Sequence, residues 1–194
     1  MSPPEPTAPA AWRKAERARL IAARLAFAPG ERAAAALAIG RALDERLPPG
    51  GAPLVGGYWP MRGEYDPLPY LRRVIAAGAA AALPVVVAPG AALEYRPWTP
   101  ATPMAGGRWD TSHPAQGPAV APAALLIPLV GFDAAGHRLG YGGGFFDRTL
   151  AAMRPRPLAV GVGFELGRLP GFEPAWHDER MDVIVTEAGA FDLR

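Results

Sequence analysis

Short apolar runs, each closed by a Gly- or Pro-rich break, recur along this chain, and stretches with a helical period lie between them. From about Ala11 to Phe27, Leu20, Ala23 and Phe27 form an apolar stripe. The same stretch carries Arg13, Lys14, Arg17, Arg19 and Arg24, with Arg13 and Arg17 spaced to share a face. Pro29 and Gly30 break this helix, and Ala33–Leu47 restarts a second, Ala-rich one that ends at Pro48-Pro49-Gly50. Leu54–Trp59 has strand length, Pro67–Ala77 reads as a helix, and Ala82–Val87 is a strand rich in β-branched residues. Leu93–Trp98 alternates as a hairpin or edge strand would, and Thr99–Val120 is a Pro- and Gly-rich loop. Leu125–Val130 is a strand, Asp147–Met153 a helix, Leu158–Phe164 a strand, and Val183–Thr186 the last strand. Strands alternating with helices predict an α/β fold of three layers: a mostly parallel central sheet with helices on both faces, an open Rossmann-like sheet. Met1–Ala10 holds prolines and no apolar period, so it reads as a disordered tail before a single domain over residues 11–194.

Composition adds bounds. With 194 residues, 50% hydrophobic and 20% charged, the chain can bury a sizeable core. A net charge of +2 gives no case for nucleic acid but does not oppose small anionic ligands. The absence of cysteine excludes disulfides, thiolate nucleophiles and thiolate metal sites. No uninterrupted apolar stretch reaches membrane-spanning length, and the N-terminus lacks the apolar core of a secretory signal. A cytoplasmic, monomeric protein is expected.

The chemistry concentrates in Leu125–Leu150. An apolar run interrupted by Pro128 leads to a turn, Asp133-Ala134-Ala135-Gly136. Arg138 follows, then Gly140, Gly142, Gly143 and Gly144, two aromatics, and Asp147-Arg148. Strand, turn, glycine loop and helix start is an order suited to an anion, because glycines let backbone N–H groups approach a phosphate and a helix N-terminus favours negative charge. Arg138 and Arg148 bracket the loop with guanidiniums that can pair with phosphate oxygens, and Asp147 offers a hard oxygen to Mg²⁺. The set suits a metal–nucleotide complex. Neither standard nucleotide motif, G-x-x-x-x-G-K-[ST] nor G-x-G-x-x-G after a strand, is present, and the glycines alone would equally suit a flexible loop covering a sheet edge.

The longer string R-L-G-Y-G-G-G-F-F-D-R, preceded by G-F-D-x-x-G, resembles the signature of the 5-formyltetrahydrofolate cyclo-ligase (5,10-methenyltetrahydrofolate synthetase) family. The family usually has two tyrosines where this chain has Phe145 and Phe146, which puts any hydrogen bond from those positions in doubt. The resemblance extends over roughly Arg13 to Glu187. It implies ATP- and Mg²⁺-dependent conversion of 5-formyltetrahydrofolate to 5,10-methenyltetrahydrofolate, with ADP and phosphate released. It also implies a K-x-x-x-R helix that contacts ATP phosphates. Fixing the register on Ala28–Arg32 places that pair at Arg13 and Arg17, with Lys14 one position off as a lesser candidate.

On the same resemblance, Arg138, Leu139, Gly140, Tyr141, Gly142, Gly143, Gly144, Phe145 and Phe146 would surround ATP. Trp59, Glu64, Tyr141, the three consecutive glycines and Phe145 would meet the folate, Glu64 by accepting hydrogen bonds from the reduced pterin. Arg138, Arg148 and Asp147 would act on the reacting groups. The P-x-x-x-H-D-x-x-x-D pattern puts a second Mg²⁺ ligand at Asp178, beside His177. The three histidines have no zinc-ligand spacing, and no G-x-S-x-G nucleophile signature occurs. Two other readings stay open: a nucleotide-binding or interaction module without turnover, and a different formyl- or phosphoryl-transfer enzyme on the same fold.

Overall fold

The computed structural model describes residues 10–193. The tail expected over Met1–Ala10 therefore lies outside the described residues, save Ala10, where helix α1 (Ala10–Leu25) begins. Pro29, expected only to break that helix, opens the next, α2 (Pro29–Arg46), ahead of the expected Ala33. Proline suits the first turn, where its missing N–H has no partner to lose. Glu31 reaches back to the Ala28 N–H at 3.4 Å, so the turn is a cap as well as a break.

Strand β1 (Leu54–Gly56) is shorter than expected because the chain leaves the sheet at Gly57, so Tyr58 and Trp59 lie beyond the strand end. Next come α3 (Leu68–Ala76), β2 (Ala80–Val85) and β3 (Glu94–Trp98), which pairs antiparallel with β2 as an edge strand. The stretch expected as loop contains a small hairpin, β4 (Met104–Gly106) and β5 (Ser112–Pro114). Strands this short show no period in sequence. Then follow β6 (Ala124–Pro128), the small hairpin β7 (Gly131–Phe132) and β8 (Arg138–Leu139), α4 (Phe145–Ala152), β9 (Leu158–Val162) and β10 (Val183–Thr186). β10 is not the last strand: the chain turns at Gly189 and returns antiparallel as β11 (Gly189–Asp192). That strand is largely exposed, so it lacks the apolar run that marks the others.

The main sheet has the order β11-β10-β9-β6-β1-β2-β3. Its central strands β10, β9, β6, β1 and β2 pair in parallel, and only the two edges are antiparallel. Every residue of β6 is buried, as a central parallel strand covered on both faces requires. Its side chains alternate between two cores. Leu126 joins Val55, Leu83, Val160 and Val183 beneath Ile39 and Leu43 of α2 and Leu71 and Val74 of α3. Leu125 and Ile127 join Ala159 and Ile184 beneath Leu150 of α4. The three-layer α/β expectation is met. α1 packs elsewhere: Leu20 meets Val130, Leu139 and Leu169 beyond the sheet end, which leaves its basic face free to line a site there. No helix among the described residues is long and apolar enough to cross a membrane.

Candidate active site

In chain order the parallel strands are β1, β2, β6, β9 and β10, yet β1 lies between β2 and β6. The chain runs outward one way after β1 and the other way from β6, so a crevice opens outside their carboxyl ends. A cleft of about 990 Å³ occupies that position. Tyr58 and Trp59 line it beyond β1, Val86 beyond β2 and Pro128 at the end of β6. Of the residues expected to serve the site, Arg13, Arg17, Trp59, Glu64, Arg138, Gly140, Tyr141, Gly142, Gly143, Gly144, Phe145, Phe146, Asp147 and Asp178 all line this one cleft.

Leu139 and Arg148 do not. Leu139 is fully buried with Leu20 and Val130, so it anchors the loop. Arg148 donates to the Gly143 carbonyl at 2.6 Å and the Ala91 carbonyl at 3.2 Å, and lies over the Phe145 ring. It braces the glycine loop from behind. Lys14 is exposed and absent from the cleft wall, whereas Arg13 is part of it.

The cleft is basic along α1. Arg13 pairs with Asp178 at 2.9 Å, donates to the Glu173 carbonyl at 3.0 Å and lies over Phe172. Arg17 donates to the Gly140 carbonyl. Burial, with the Arg13 charge, lowers the Arg17 pKa from its ordinary value, a penalty an anion in the cleft would relieve. Arg138 is buried and pairs with Asp147 at 2.7 Å, its guanidinium over Phe146. Its Nε has no hydrogen-bond partner among the described residues.

Gly142 and Gly144 have φ of +88° and +63°, the left-handed region that favours glycine. Gly144 is the N-cap of α4, so the loop delivers its amides to a helix N-terminus. Gly143 is not in that region; a Cβ there would come within 2.8 Å of the Phe145 ring.

Asp147 also accepts the Glu179 N–H at 3.2 Å, which brings the start of α4 against the segment carrying Asp178. Asp178 accepts the Ala175 N–H at 2.8 Å. Among the described residues no group of three or more His, Asp or Glu side chains could hold a metal by itself. Asp147 and Asp178 both line the cleft, each paired with an arginine, and that number of carboxylates is what Mg²⁺ takes when phosphate oxygens and water fill the rest of its shell.

At the other end of the cleft, Glu64 accepts the Met61 N–H at 2.9 Å and the Tyr141 hydroxyl at 2.8 Å. Burial raises its pKa, opposed by those two donors and by Arg24 and Arg62. Sequence reading passed over Arg24, which is 3% exposed and donates to Tyr141. The signal was available: at about 100° per residue, Arg13, Arg17 and Arg24 fall on one helical face. It also passed over Trp109, carried by the β4–β5 hairpin, whose ring meets Phe145 edge-on at 5.9 Å.

Comparisons with known proteins point one way. The model of the 5-formyltetrahydrofolate cyclo-ligase family matches residues 9–187. The chain is 33% identical over 97 residues to the 5-formyltetrahydrofolate cyclo-ligase of Haemophilus influenzae, covering 48% of this chain and 52% of that protein. It is 32% identical over 61 residues to that of Mycoplasma genitalium, 31% of this chain and 36% of the relative. The matched stretches thus span about half or less of those relatives' length. The solution structure of Aquifex aeolicus 5,10-methenyltetrahydrofolate synthetase superposes with a TM-score of 0.80 at 27% identity, over 94% of this chain and 93% of that one. The structure of the Mycoplasma pneumoniae 5,10-methenyltetrahydrofolate synthetase, 19% identical, shares the fold with a TM-score of 0.73. A match over nearly the whole chain, on a fold whose glycine loop opens a cleft lined by Arg13, Arg17, Glu64 and Arg138, means that this chain belongs to the 5-formyltetrahydrofolate cyclo-ligase family.

Proposed function

We propose that this chain converts 5-formyltetrahydrofolate and ATP to 5,10-methenyltetrahydrofolate, ADP and phosphate. The observation that carries this reading is that one cleft holds both a basic, glycine-rich wall suited to an anion and a half-buried acceptor. The wall is Arg13, Arg17, Arg138 and the Gly140–Gly144 loop, and the acceptor is Glu64. A cytoplasmic, monomeric enzyme goes with it.

The chemistry needs what the cleft offers. An N5-formyl group is an amide: a poor electrophile whose oxygen is a poor leaving group. The formyl oxygen attacks the γ-phosphorus and ADP departs, leaving an iminium phosphate. N10 attacks the activated carbon, loses its proton, and the C–O bond breaks to release phosphate. Phosphoryl transfer demands positioning and charge neutralisation rather than a protein nucleophile. Arg13 and Arg17 grip phosphate oxygens from α1, and the glycine loop supplies amides. Arg138, on the cleft wall, adds positive charge for the phosphates, and its buried Nε is one donor left without a partner among the described residues. Glu64 accepts from the N–H edge of the pteridine, while Trp59 and Phe145 pack on its rings. Asp147 and Asp178 would hold Mg²⁺, which when bound neutralises phosphate charge.

Phe145 and Phe146 do not argue against turnover. Phe145 packs on Trp109 and beneath Arg148, and Phe146 lies beneath Arg138, contacts that need no hydroxyl. Purified protein given 5-formyltetrahydrofolate and Mg-ATP is expected to generate methenyltetrahydrofolate absorbance, and none without ATP. Silence from folded protein would contradict the reading. In the same assay Asp178→Asn should raise the Mg²⁺ concentration for half-maximal rate roughly tenfold or more, the loss of one charged ligand. An Mg²⁺ titration matching the unaltered protein would remove Asp178 from the metal site.

A further inference from the structure

Arg24, Tyr141 and Glu64 form a hydrogen-bonded chain across three separate segments, buried at Arg24 and half-buried at the other two. Arg24 is in α1, Tyr141 in the glycine loop and Glu64 in the segment after β1. Arg24 Nη2 donates to the Tyr141 hydroxyl at 2.6 Å, and that hydroxyl donates to Glu64 Oε1 at 2.8 Å. The direction of the chain is forced. Arginine has donors only, so the Tyr141 oxygen must accept from it, and the single tyrosine proton is left for Glu64.

The other nitrogens of Arg24 are committed too. Nε donates to the Arg62 carbonyl at 3.0 Å and Nη1 to the Leu129 carbonyl at 3.3 Å. Arg62 has φ of +47°, a strained conformation for a side-chain-bearing residue, and lies two residues before Glu64. Its guanidinium lies over the Tyr141 ring at 5.8 Å. One buried guanidinium therefore holds the glycine loop, the strained turn before Glu64 and the end of β6 at once.

We infer that Arg24 is a positioning residue: acting through Tyr141 it fixes Glu64 as a pure acceptor and ties the placement of the glycine loop to that of the pteridine-binding carboxylate. This rests on the function proposed above. Two consequences follow. Glu64 selects ligands that present N–H donors. Each substrate also favours the other, because a pteridine that orders Glu64 orders Tyr141, and Tyr141 belongs to the loop that meets the nucleotide. Such coupling is reciprocal.

Tyr141→Phe tests this, since it keeps the ring and removes only the hydroxyl that joins the chain. The KM for 5-formyltetrahydrofolate should rise roughly tenfold, the loss of one hydrogen bond to a charged group. The groups facing Glu64 are the Met61 N–H, Tyr58, Tyr141, Arg24 and Arg62, and of the side chains Tyr141 donates a bond that lowers its pKa. Removing that bond should move the acidic limb of kcat/KM for the folate to higher pH, because a protonated Glu64 no longer presents only acceptors. Calorimetry with the Mg²⁺ complex of a β,γ-imido ATP analogue gives the coupling. In the unaltered protein, 5-formyltetrahydrofolate should raise analogue affinity severalfold or more, and in Tyr141→Phe the factor should fall towards unity. An unmoved acidic limb together with intact coupling would overturn the inference, as would the absence of coupling in the unaltered protein. Arg24→Gln, if it folds, should reproduce both changes. Failure of the unaltered protein to form methenyltetrahydrofolate would instead count against the function, and the direct binding measurements would still decide the chain.

Discussion

Gly144→Val is expected to lower kcat/KM by at least about a hundredfold, the scale of losing oriented donors to a developing phosphate charge. Two features of this position act together. Its φ of +63° places it in the left-handed region, which valine enters only with strain. A Cβ there would come within 2.6 Å of an Arg148 Nη atom, so the brace on the Gly143 carbonyl would have to move. Gly144 is the N-cap of α4 and lines the cleft, so shifting it displaces both the loop and the helix N-terminus. The stability cost should stay modest, roughly 1–3 kcal/mol, the usual scale for one strained residue. Thermal unfolding read beside turnover separates the two effects. A folded variant with unaltered turnover would mean that the glycines only make a turn. Gly143→Val should also be inactive for a different reason: its φ is ordinary, but its Cβ would collide with Phe145.

Arg138→Ala should damage both fold and activity. Arg138 and Asp147 have side chains only 7% and 12% exposed. Removing one member of a buried pair leaves the other charge without compensation, which costs about 3–5 kcal/mol. The KM for ATP should rise more than that for the folate, because the proposed function assigns this cation to the phosphates. The double variant Arg138→Ala, Asp147→Asn removes both charges. It should recover part of the lost stability and none of the activity, a coupling that a double-mutant cycle reads directly. A double variant no more stable than Arg138→Ala would show that the pair is not what the fold depends on. A folate KM that rises while the ATP KM is unchanged would assign Arg138 to the other substrate.

What the sequence revealed follows from what its signals encode. The glycine loop was legible because its glycines, cations and acid are adjacent in the chain. The parallel core was legible because β6 and β9 are apolar runs of strand length. Arg148 lies off the cleft wall for a geometric reason. Successive helical residues point about 100° apart, so with Asp147 facing the cleft, its neighbour faces away. Which of the neighbouring glycines take the left-handed backbone, Gly142 and Gly144, was not legible, because adjacent glycines look alike until the turn is drawn. The face that Arg24 shares with Arg13 and Arg17 was legible in the helical period, but its contacts were not, because its partners are remote in sequence, Tyr141 by 117 residues. The β4–β5 hairpin and β11 were hidden because three or four largely uncovered residues carry no apolar period.

The most direct test of phosphoryl transfer to the formyl oxygen follows that oxygen itself. 5-Formyltetrahydrofolate labelled with ¹⁸O in the formyl group is turned over with unlabelled Mg-ATP, and the released phosphate is analysed by mass. The mechanism predicts one ¹⁸O in each phosphate, unlabelled ADP, and one phosphate for each methenyltetrahydrofolate formed. Unlabelled phosphate with the ¹⁸O lost to water would mean that the formyl oxygen never meets the γ-phosphorus, and would contradict it.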